Sequence, residues 1–223
     1  MLPADPERVV CYVTNRKLLG ADDPAKSIVA KIDAAIAAGA NWVQIREKDL
    51  AGRELLALSR AAVRAAATRA ASVFVNGQLD VALAAGAAGV HLGGESLRAR
   101  DVIRWCRDGN APAGFRVGVS CHSVEDAREA ERAGAAYAFF GPIFDTPAKR
   151  KFGAPQGIAK LAEACSAVRI PVIAIGGVDS ENGAECIGAG AAGIAAIRMF
   201  QETTDAAALR EAVARLRAAS GKP

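Results

Sequence analysis

The sequence has few aromatic residues and no long uninterrupted apolar run, although 52% of its 223 residues are hydrophobic. Aromatic residues make up 5%, so alanine and the aliphatic residues must supply most of the buried surface. No apolar stretch approaches the roughly 20 residues that span a bilayer, and no basic segment followed by an apolar run marks a signal peptide. We therefore expect a cytoplasmic protein with a large buried core and no membrane partner.

Cysteine pairs and a strong charge of one sign are also lacking. The five cysteines form no CxxC pair, and their odd number and wide scatter argue against a disulfide framework or a zinc cage. The net charge is only +4, and basic residues are interspersed with acidic ones, which disfavours nucleic acid as a partner. We expect reduced core cysteines at Cys11, Cys106, Cys121, Cys165 and Cys186.

An internal repeat is what the sequence does contain. The segment AGANWV at 38–43 recurs as AGAAGV at 85–90, AGAAYA at 133–138 and AGAAGI at 189–194. In each copy a glycine follows a helical pattern and precedes a short apolar run, which is typical of a helix end followed by a buried strand. Successive copies lie roughly 50 residues apart, about two β/α units, so four copies predict eight units.

The repeat predicts an α/β fold, a single (β/α)₈ TIM barrel formed by residues 1–223. The apolar runs are continuous rather than alternating, as expected for parallel strands covered by helices. An open doubly wound sheet is the alternative, but no GxGxxG follows the first strand. The predicted strands are 9–14, 42–46, 72–76, 89–92, 116–120, 137–141, 171–177 and 193–199.

Unusual polar residues fall at the carboxyl ends of these strands, where barrels of this kind build their active sites. Gly176 and Gly177 close the seventh strand, and glycines there let backbone N–H groups approach a phosphate. Arg198 could contribute a guanidinium to the same phosphate, although a solvated arginine is the alternative. The remaining candidates are Gln44, Arg46, Lys48, Asn76, His91, Ser120, His122, Thr146 and Lys149.

Two histidines are present, and they have different predicted roles. His122 follows the fifth strand, where an imidazole could take and return a proton at neutral pH. Its alternative is a loop histidine that only bonds its neighbours. His91 is expected to be structural, with one nitrogen bonded to a backbone group. Gln44, Arg46 and Lys48 alternate along an extended segment and would share one face, unless Glu47 or Asp49 pairs with the cations.

The segments VQIREKDL, VNGQLDVALAAGAAGVHLGGESL, VGVSCHSVEDA, GPIFDTPAK and PVIAIGGV, taken in order, resemble the thiamine phosphate synthase/TenI family. The resemblance covers residues 9 to 200 and implies a (β/α)₈ barrel that acts on hydroxyethylthiazole phosphate. In the synthase branch this thiazole attacks a pyrimidine pyrophosphate, whose leaving group is held by magnesium. By motif position, that branch's binding and catalytic residues match Gln44, Arg46, Lys48, Asn76, Ser120 and Lys149, and its phosphate-loop glycine matches Gly177.

Two departures from the synthase pattern concern the metal. The pattern has Asn-Asp after the third strand, where this chain has Asn76-Gly77, and it has an aspartate just after HLG, where this chain has Gly94-Glu95-Ser96. Magnesium ordinarily bridges one or two carboxylates to substrate phosphates. Glu95 is the remaining candidate ligand, and Ala148 replaces a further threonine of the pattern. We expect no cofactor, or Mg²⁺ if the chain is a synthase.

These departures favour the TenI branch, which resembles the chain in its Asn-Gly and in the histidine of its SxHS segment. That branch is implied to aromatise a thiazole phosphate tautomer by a proton shift without metal, with His122 as the acid and base. The synthase is the second candidate, because Gln44 and Lys48 are retained. A non-catalytic binder of a thiamine precursor is the third, favoured if neither Ser120 nor His122 faces the phosphate site. The expected ligand is a small phosphorylated thiazole or pyrimidine, and a homodimer is compatible with the sequence.

Overall fold

Eight parallel strands form a closed barrel in a computed structural model that describes residues 8–19, 24–145 and 154–219. Each strand pairs with the next in sequence, and β1 pairs with β8 to close the sheet. The (β/α)₈ fold class is thereby confirmed, whereas Thr146 and Lys149 lie outside the described residues. The strands are β1 Val9–Val13, β2 Trp42–Ile45, β3 Ser72–Asn76, β4 Gly89–Leu92, β5 Arg116–Cys121, β6 Tyr137–Phe140, β7 Val172–Ile175 and β8 Gly193–Ala196.

Helices follow the strands and cover the outside of the barrel. A 3₁₀ turn at Arg16–Leu18 precedes the first, and a π-helical turn at Cys106–Asn110 continues the fourth. No helix within the described ranges is long and apolar enough to cross a membrane. The helices are α1 Pro24–Ala37, α2 Gly52–Ala67, α3 Leu79–Ala85, α4 Ala99–Trp105, α5 Val124–Ala133, α6 Gly157–Ala167, α7 Gly183–Gly188, α8 Arg198–Glu202 and α9 Ala206–Ala218.

The repeat marks the helix ends that its glycines predict. Gly86 and Gly134 are the left-handed residues that end α3 and α5, and Gly39 and Gly190 also have positive φ. At the other end of α5, the Ser123 hydroxyl accepts a 3.0 Å hydrogen bond from the backbone N–H of Asp126, which caps the helix. These local signals set where β2, β4, β6 and β8 begin, because each of these strands starts a few residues after its glycine.

The predicted first, second and sixth strands run one residue too far, and the seventh and eighth run further past their ends. The seventh ends at Ile175 rather than 177, because Gly176 and Gly177 have φ of 95° and 70°, outside the extended region. The eighth ends at Ala196 rather than 199, because the chain turns into α8 once its pairing with β1 stops. Arg198 is consequently the first residue of a helix and does not end a strand.

Alternate strand residues point into the barrel, where a layer of large rings fills the interior. This interior aromatic layer consists of Trp42, Phe74, Tyr137 and Phe139, and the centroids of Trp42 and Phe74 are 4.6 Å apart. The other face of each strand packs against the helices in a larger aliphatic core. All five cysteines are free, but only Cys11, Cys121 and Cys186 are buried.

Tyr137 occupies space that Gly118 of the neighbouring strand leaves empty. A Cβ atom at Gly118 would lie 2.0 Å from Tyr137 Cζ, closer than any nonbonded contact allows. We expect Gly118→Ala to lower the free energy of unfolding by about 1–3 kcal/mol, because the buried ring must move to admit the methyl group. Urea unfolding followed by circular dichroism measures the change.

Gly52→Ala is the matched control, since Gly52 begins α2 and nothing lies within 4 Å of the Cβ it would gain. It should leave the stability unchanged or slightly raised, because alanine favours the helix. Equal stability of both variants would show that the interior tolerates the added methyl group and that Tyr137 does not depend on Gly118.

Candidate active site

A pair of amides lies inside the barrel at the carboxyl ends of β2 and β3. Gln44 Nε2 donates a 2.9 Å hydrogen bond to Asn76 Oδ1. Gln44 is 2% exposed, and its Oε1 has no hydrogen-bond partner among the described residues. A buried acceptor without a partner costs about 1–3 kcal/mol, so this oxygen is suited to a donor on a bound ligand. The structure thus brings together two of the predicted binding residues.

Arg46 and Lys48 lie above this pair, but they do not continue the strand. β2 ends at Ile45, and a backbone hydrogen bond from Leu50 to Glu47 closes a turn that carries Lys48. The prediction that Gln44, Arg46 and Lys48 share one extended face is therefore wrong at Lys48. The Lys48 ammonium instead forms a 2.7 Å ion pair with Glu95 in the segment after β4, and both side chains are exposed.

The acidic neighbours of these cations pair elsewhere. Glu47 is buried and accepts the backbone N–H of Arg16 at 3.0 Å, and Asp49 accepts two hydrogen bonds from the Arg16 guanidinium. These hydrogen bonds from Arg16, followed by that from Lys17, lower the pKa of the Asp49 carboxyl. Arg46 has no ion pair or hydrogen bond of its guanidinium within the described residues, so its charge is available to an anion.

The two segments that depart from the synthase pattern meet each other. A Cβ atom at Gly77 would lie 3.4 Å from Ser96 Oγ, which accepts a 3.0 Å hydrogen bond from the backbone N–H of Gly93. Neither residue has a carboxylate, and Glu95 is paired with Lys48. Within the described ranges no three His, Cys, Asp or Glu residues form a cluster suited to a metal ion. The side chains at this point do not fit magnesium.

His91 is buried in the barrel and bonded through both ring nitrogens. Its Nδ1 is 3.2 Å from the Tyr137 hydroxyl, and its Nε2 is 2.9 Å from Ser120 Oγ. Burial, followed by the nearby charge of Arg46, lowers the pKa of His91 to about 3. The expected backbone partner is wrong, because two inward side chains at the same level of the barrel reach the ring first. Tyr137 was not among the predicted polar residues, since the sequence gives no sign that its hydroxyl faces His91.

His122 is exposed just beyond β5, two residues after Ser120. Its Nδ1 lies 2.5 Å from the carbonyl oxygen of Gly141, which can only accept, so Nδ1 carries the proton in the neutral ring. Nε2 is then the basic nitrogen. The backbone N–H of His122 donates to Asp126 Oδ2 at 2.7 Å, which ties the histidine to the capped start of α5.

The strand register decides which way the Ser120 side chain points. Ser120 pairs with Phe139 of the interior aromatic layer, so its hydroxyl faces the barrel interior, whereas β5 ends at Cys121, just before His122. The non-catalytic binder, which is favoured if neither side chain faces the phosphate site, stays the third candidate.

The glycines after β7 bring two loops into contact. A Cβ atom at Gly177 would lie 2.7 Å from Phe144 Cβ, and one at Gly176 would lie 2.6 Å from Pro142. The backbone N–H of Phe144 donates to the Gly176 carbonyl at 2.9 Å, whereas the N–H of Gly177 has no acceptor among the described residues. Arg198, predicted to reach the same place from a strand end, is exposed on α8 with Nε 3.7 Å from Glu202.

A model of the TMP-TENI family, described as thiamine monophosphate synthase, matches residues 10–200. The chain belongs to this family. It is 40% identical over 188 residues to a putative thiamine-phosphate synthase of Geobacter sulfurreducens, with 83% of each chain covered. It is 35% identical to a thiamine-phosphate synthase of Chlorobium phaeobacteroides, over 97% of this chain and 98% of the relative.

A solved structure agrees with this family membership. Thiamine phosphate pyrophosphorylase from Pyrococcus furiosus superposes with a TM-score of 0.79 at 30% identity, covering 94% of this chain and 93% of that one. This member of the family is an enzyme of thiamine biosynthesis. The resemblance of its sequence segments to the thiamine phosphate synthase/TenI family is confirmed.

Burial of His91 makes the stability of the protein depend on pH. The unfolded ring has a pKa near 6.5 and the folded ring one of about 3, so between these values only the unfolded state binds the proton. The stability that the protein gains by burying a neutral His91 is fully present above pH 6.5 and is lost as the pH falls toward 3. We expect the stability difference between wild type and His91→Gln to shrink below pH 6 by about 1.4 kcal/mol per pH unit.

Urea unfolding of both proteins between pH 4.5 and 7.5 measures this difference, and carboxylates common to both cancel in the comparison. A difference that stays constant over the whole range would mean that the folded protein admits a protonated His91.

Proposed function

We propose that this enzyme aromatises a thiazole phosphate by a metal-independent proton shift, as the TenI branch of the family does. The observation that carries the proposal is the contact between Gly77 and Ser96. The segments in which the synthase pattern places its aspartates meet there, and neither residue has a charge with which to hold a metal ion. A proton shift needs no stabilised leaving group, so it makes no demand for these carboxylates.

His122 supplies the acid and base in this proposal. With Nδ1–H donated to the Gly141 carbonyl, Nε2 takes a proton from one carbon of the heterocycle and returns it to another. The carbonyl oxygen stabilises the imidazolium that forms between the two transfers. One proton moves and no electrons are transferred to or from the ligand, so the reaction is balanced without a cofactor.

Two parts of the site can bind an anionic ligand. The N–H of Gly177, which has no acceptor among the described residues, offers a backbone donor to the phosphate at the usual place for this group in such barrels. Arg46 offers a guanidinium near the buried amides. Thr146 and Lys149 stay predictions for substrate binding and catalysis, as does Arg198 for the phosphate.

The synthase is the second candidate, supported by the names of the relatives and by Gln44 and Lys48. In that reaction the thiazole phosphate joins hydroxymethylpyrimidine pyrophosphate and pyrophosphate leaves. If Mg²⁺ took part, it would supply charge stabilisation to the pyrophosphate, with Glu95 as the candidate carboxylate ligand. Glu95 is held by Lys48, so both groups would have to separate before they could serve the ligand.

Replacing His122 tests its proposed role. We expect His122→Gln to lower the turnover of the thiazole tautomer by about 10²–10⁴-fold with little change in ligand affinity, since acid and base assistance acts in the transition state. Arg46→Ala is the contrasting variant and should weaken ligand binding, because it removes charge and leaves the proton carrier in place. Steady-state kinetics and calorimetry give both values, and wild-type turnover in His122→Gln would refute the assignment.

Magnesium binding provides a separate test. We expect no tight binding of Mg²⁺ to the free protein, and nearly unchanged thiazole phosphate affinity in Glu95→Ala, because the Gly77 and Ser96 positions offer no carboxylate. Titration calorimetry measures both. Tight Mg²⁺ binding that disappears in Glu95→Ala would identify Glu95 as a relocated ligand and make the synthase the better candidate.

A further inference from the structure

Three inward side chains form a hydrogen-bonded chain from the aromatic layer to the mouth of the barrel. Tyr137 on β6 lies 3.2 Å from His91 Nδ1 on β4, and His91 Nε2 lies 2.9 Å from Ser120 Oγ on β5. Tyr137 and His91 are 0% and 1% exposed, whereas Ser120 is half-buried. These hydrogen bonds therefore connect the fully buried hydroxyl of Tyr137 to the hydroxyl of Ser120, which a ligand can reach.

The direction of these hydrogen bonds follows from what each group has available. The Tyr137 hydroxyl has no hydrogen-bond acceptor other than His91 Nδ1 among the described residues. If Nδ1 carried the proton, the Tyr137 O–H would be a buried donor without an acceptor, which is strongly unfavourable. Tyr137 therefore donates to Nδ1, and the proton of the neutral ring sits on Nε2 and is donated to Ser120 Oγ.

The protonation states agree with this direction. Burial raises the pKa of the Tyr137 phenol well above its usual value, so the hydroxyl keeps its proton. Burial lowers the pKa of His91 to about 3, so the ring is neutral and has a single N–H to donate. Because Ser120 Oγ accepts that N–H, its own proton is left free to be donated toward the mouth.

We propose that Tyr137 and His91 are positioning residues that fix Ser120 as a hydrogen-bond donor to an acceptor atom on the heterocycle of the substrate. Ser120 and His122 lie two residues apart in the chain, at most roughly 7 Å along the backbone, which suits groups that contact one ring. The phosphate donors lie beyond β6, on the other side of the Gly141 loop. The choice of a heterocycle as ligand rests on the proposed function, but the direction of the hydrogen bonds does not.

Imidazole ¹⁵N NMR tests the direction without any substrate. The chain has 2 histidines, so a spectrum of protein labelled with ¹⁵N-histidine is assigned by comparison with His122→Gln. We expect His91 to be the Nε2–H tautomer, with unprotonated Nδ1, at every pH between 5 and 8. An Nδ1–H tautomer or an imidazolium in this range would overturn the proposal, whatever reaction the enzyme catalyses.

A double-mutant cycle tests the effect on the substrate. Tyr137→Phe keeps the ring but removes the donor, so we expect part of His91 to change to the Nδ1–H tautomer and kcat/KM to fall by about 3- to 10-fold. In the Ser120→Ala background Tyr137→Phe should cause no further loss, because the group through which it acts is gone. An additive loss would contradict the proposal and indicate a purely structural tyrosine.

Two further variants serve as controls. Tyr12→Phe removes the other buried tyrosine hydroxyl of the barrel, which lies 3.3 Å from Gln201 Nε2 and has no hydrogen bond to His91. It should leave the His91 tautomer unchanged. His91→Gln retains an N–H donor for Ser120 and should keep most of the activity, whereas His91→Leu should lose as much as Tyr137→Phe or more. Equal activity of the Gln and Leu variants would show that the N–H of residue 91 is not needed.

Discussion

The limited space inside the closed barrel is the constraint on which the site depends. Tyr137 fits only because Gly118 has no side chain, and its ring then packs 4.7 Å from Trp42 and 5.3 Å from Phe74. Below these rings the Arg116 guanidinium lies 4.8 Å from the centroid of Phe74. The aromatic layer thus separates the base of the barrel from its mouth. The polar residues above it face a closed apolar floor, where hydrogen bonds are stronger than in water.

Charges at the mouth are distributed so that few are left for a ligand. Arg16 is used by Glu47 and Asp49, and Lys48 is used by Glu95. The exposed Lys48–Glu95 pair contributes little to stability, but all of these pairs decide which charges a ligand meets first. Arg46 is not engaged in this way within the described ranges. Among the described residues, the Arg46 guanidinium and the backbone N–H of Gly177 are left for a ligand, which supports the proposal of a substrate with a single phosphate.

The fold was predictable because its signals are local. The apolar runs between the helices placed β3 correctly, and the repeat glycine together with the apolar run after it placed β4. The ends of β7 and β8 were not predictable, because left-handed glycines and a turn into α8 ended them early. Tyr137 and His91 are 46 residues apart and Lys48 and Glu95 are 47 apart, so only the barrel's closure reveals these pairs.

We propose that this member of the family moves a proton on a thiazole phosphate without a metal ion. The most direct measurement gives the purified enzyme two substrate sets in separate reactions. One set is the thiazole phosphate tautomer, and the other is aromatic thiazole phosphate together with hydroxymethylpyrimidine pyrophosphate. Each reaction is run once with a chelator and once with Mg²⁺. The products are then separated by chromatography. We expect aromatic thiazole phosphate to form at the same rate with and without chelator, and no thiamine phosphate to form. Thiamine phosphate formed only with Mg²⁺, with the tautomer left unconverted, would contradict the account.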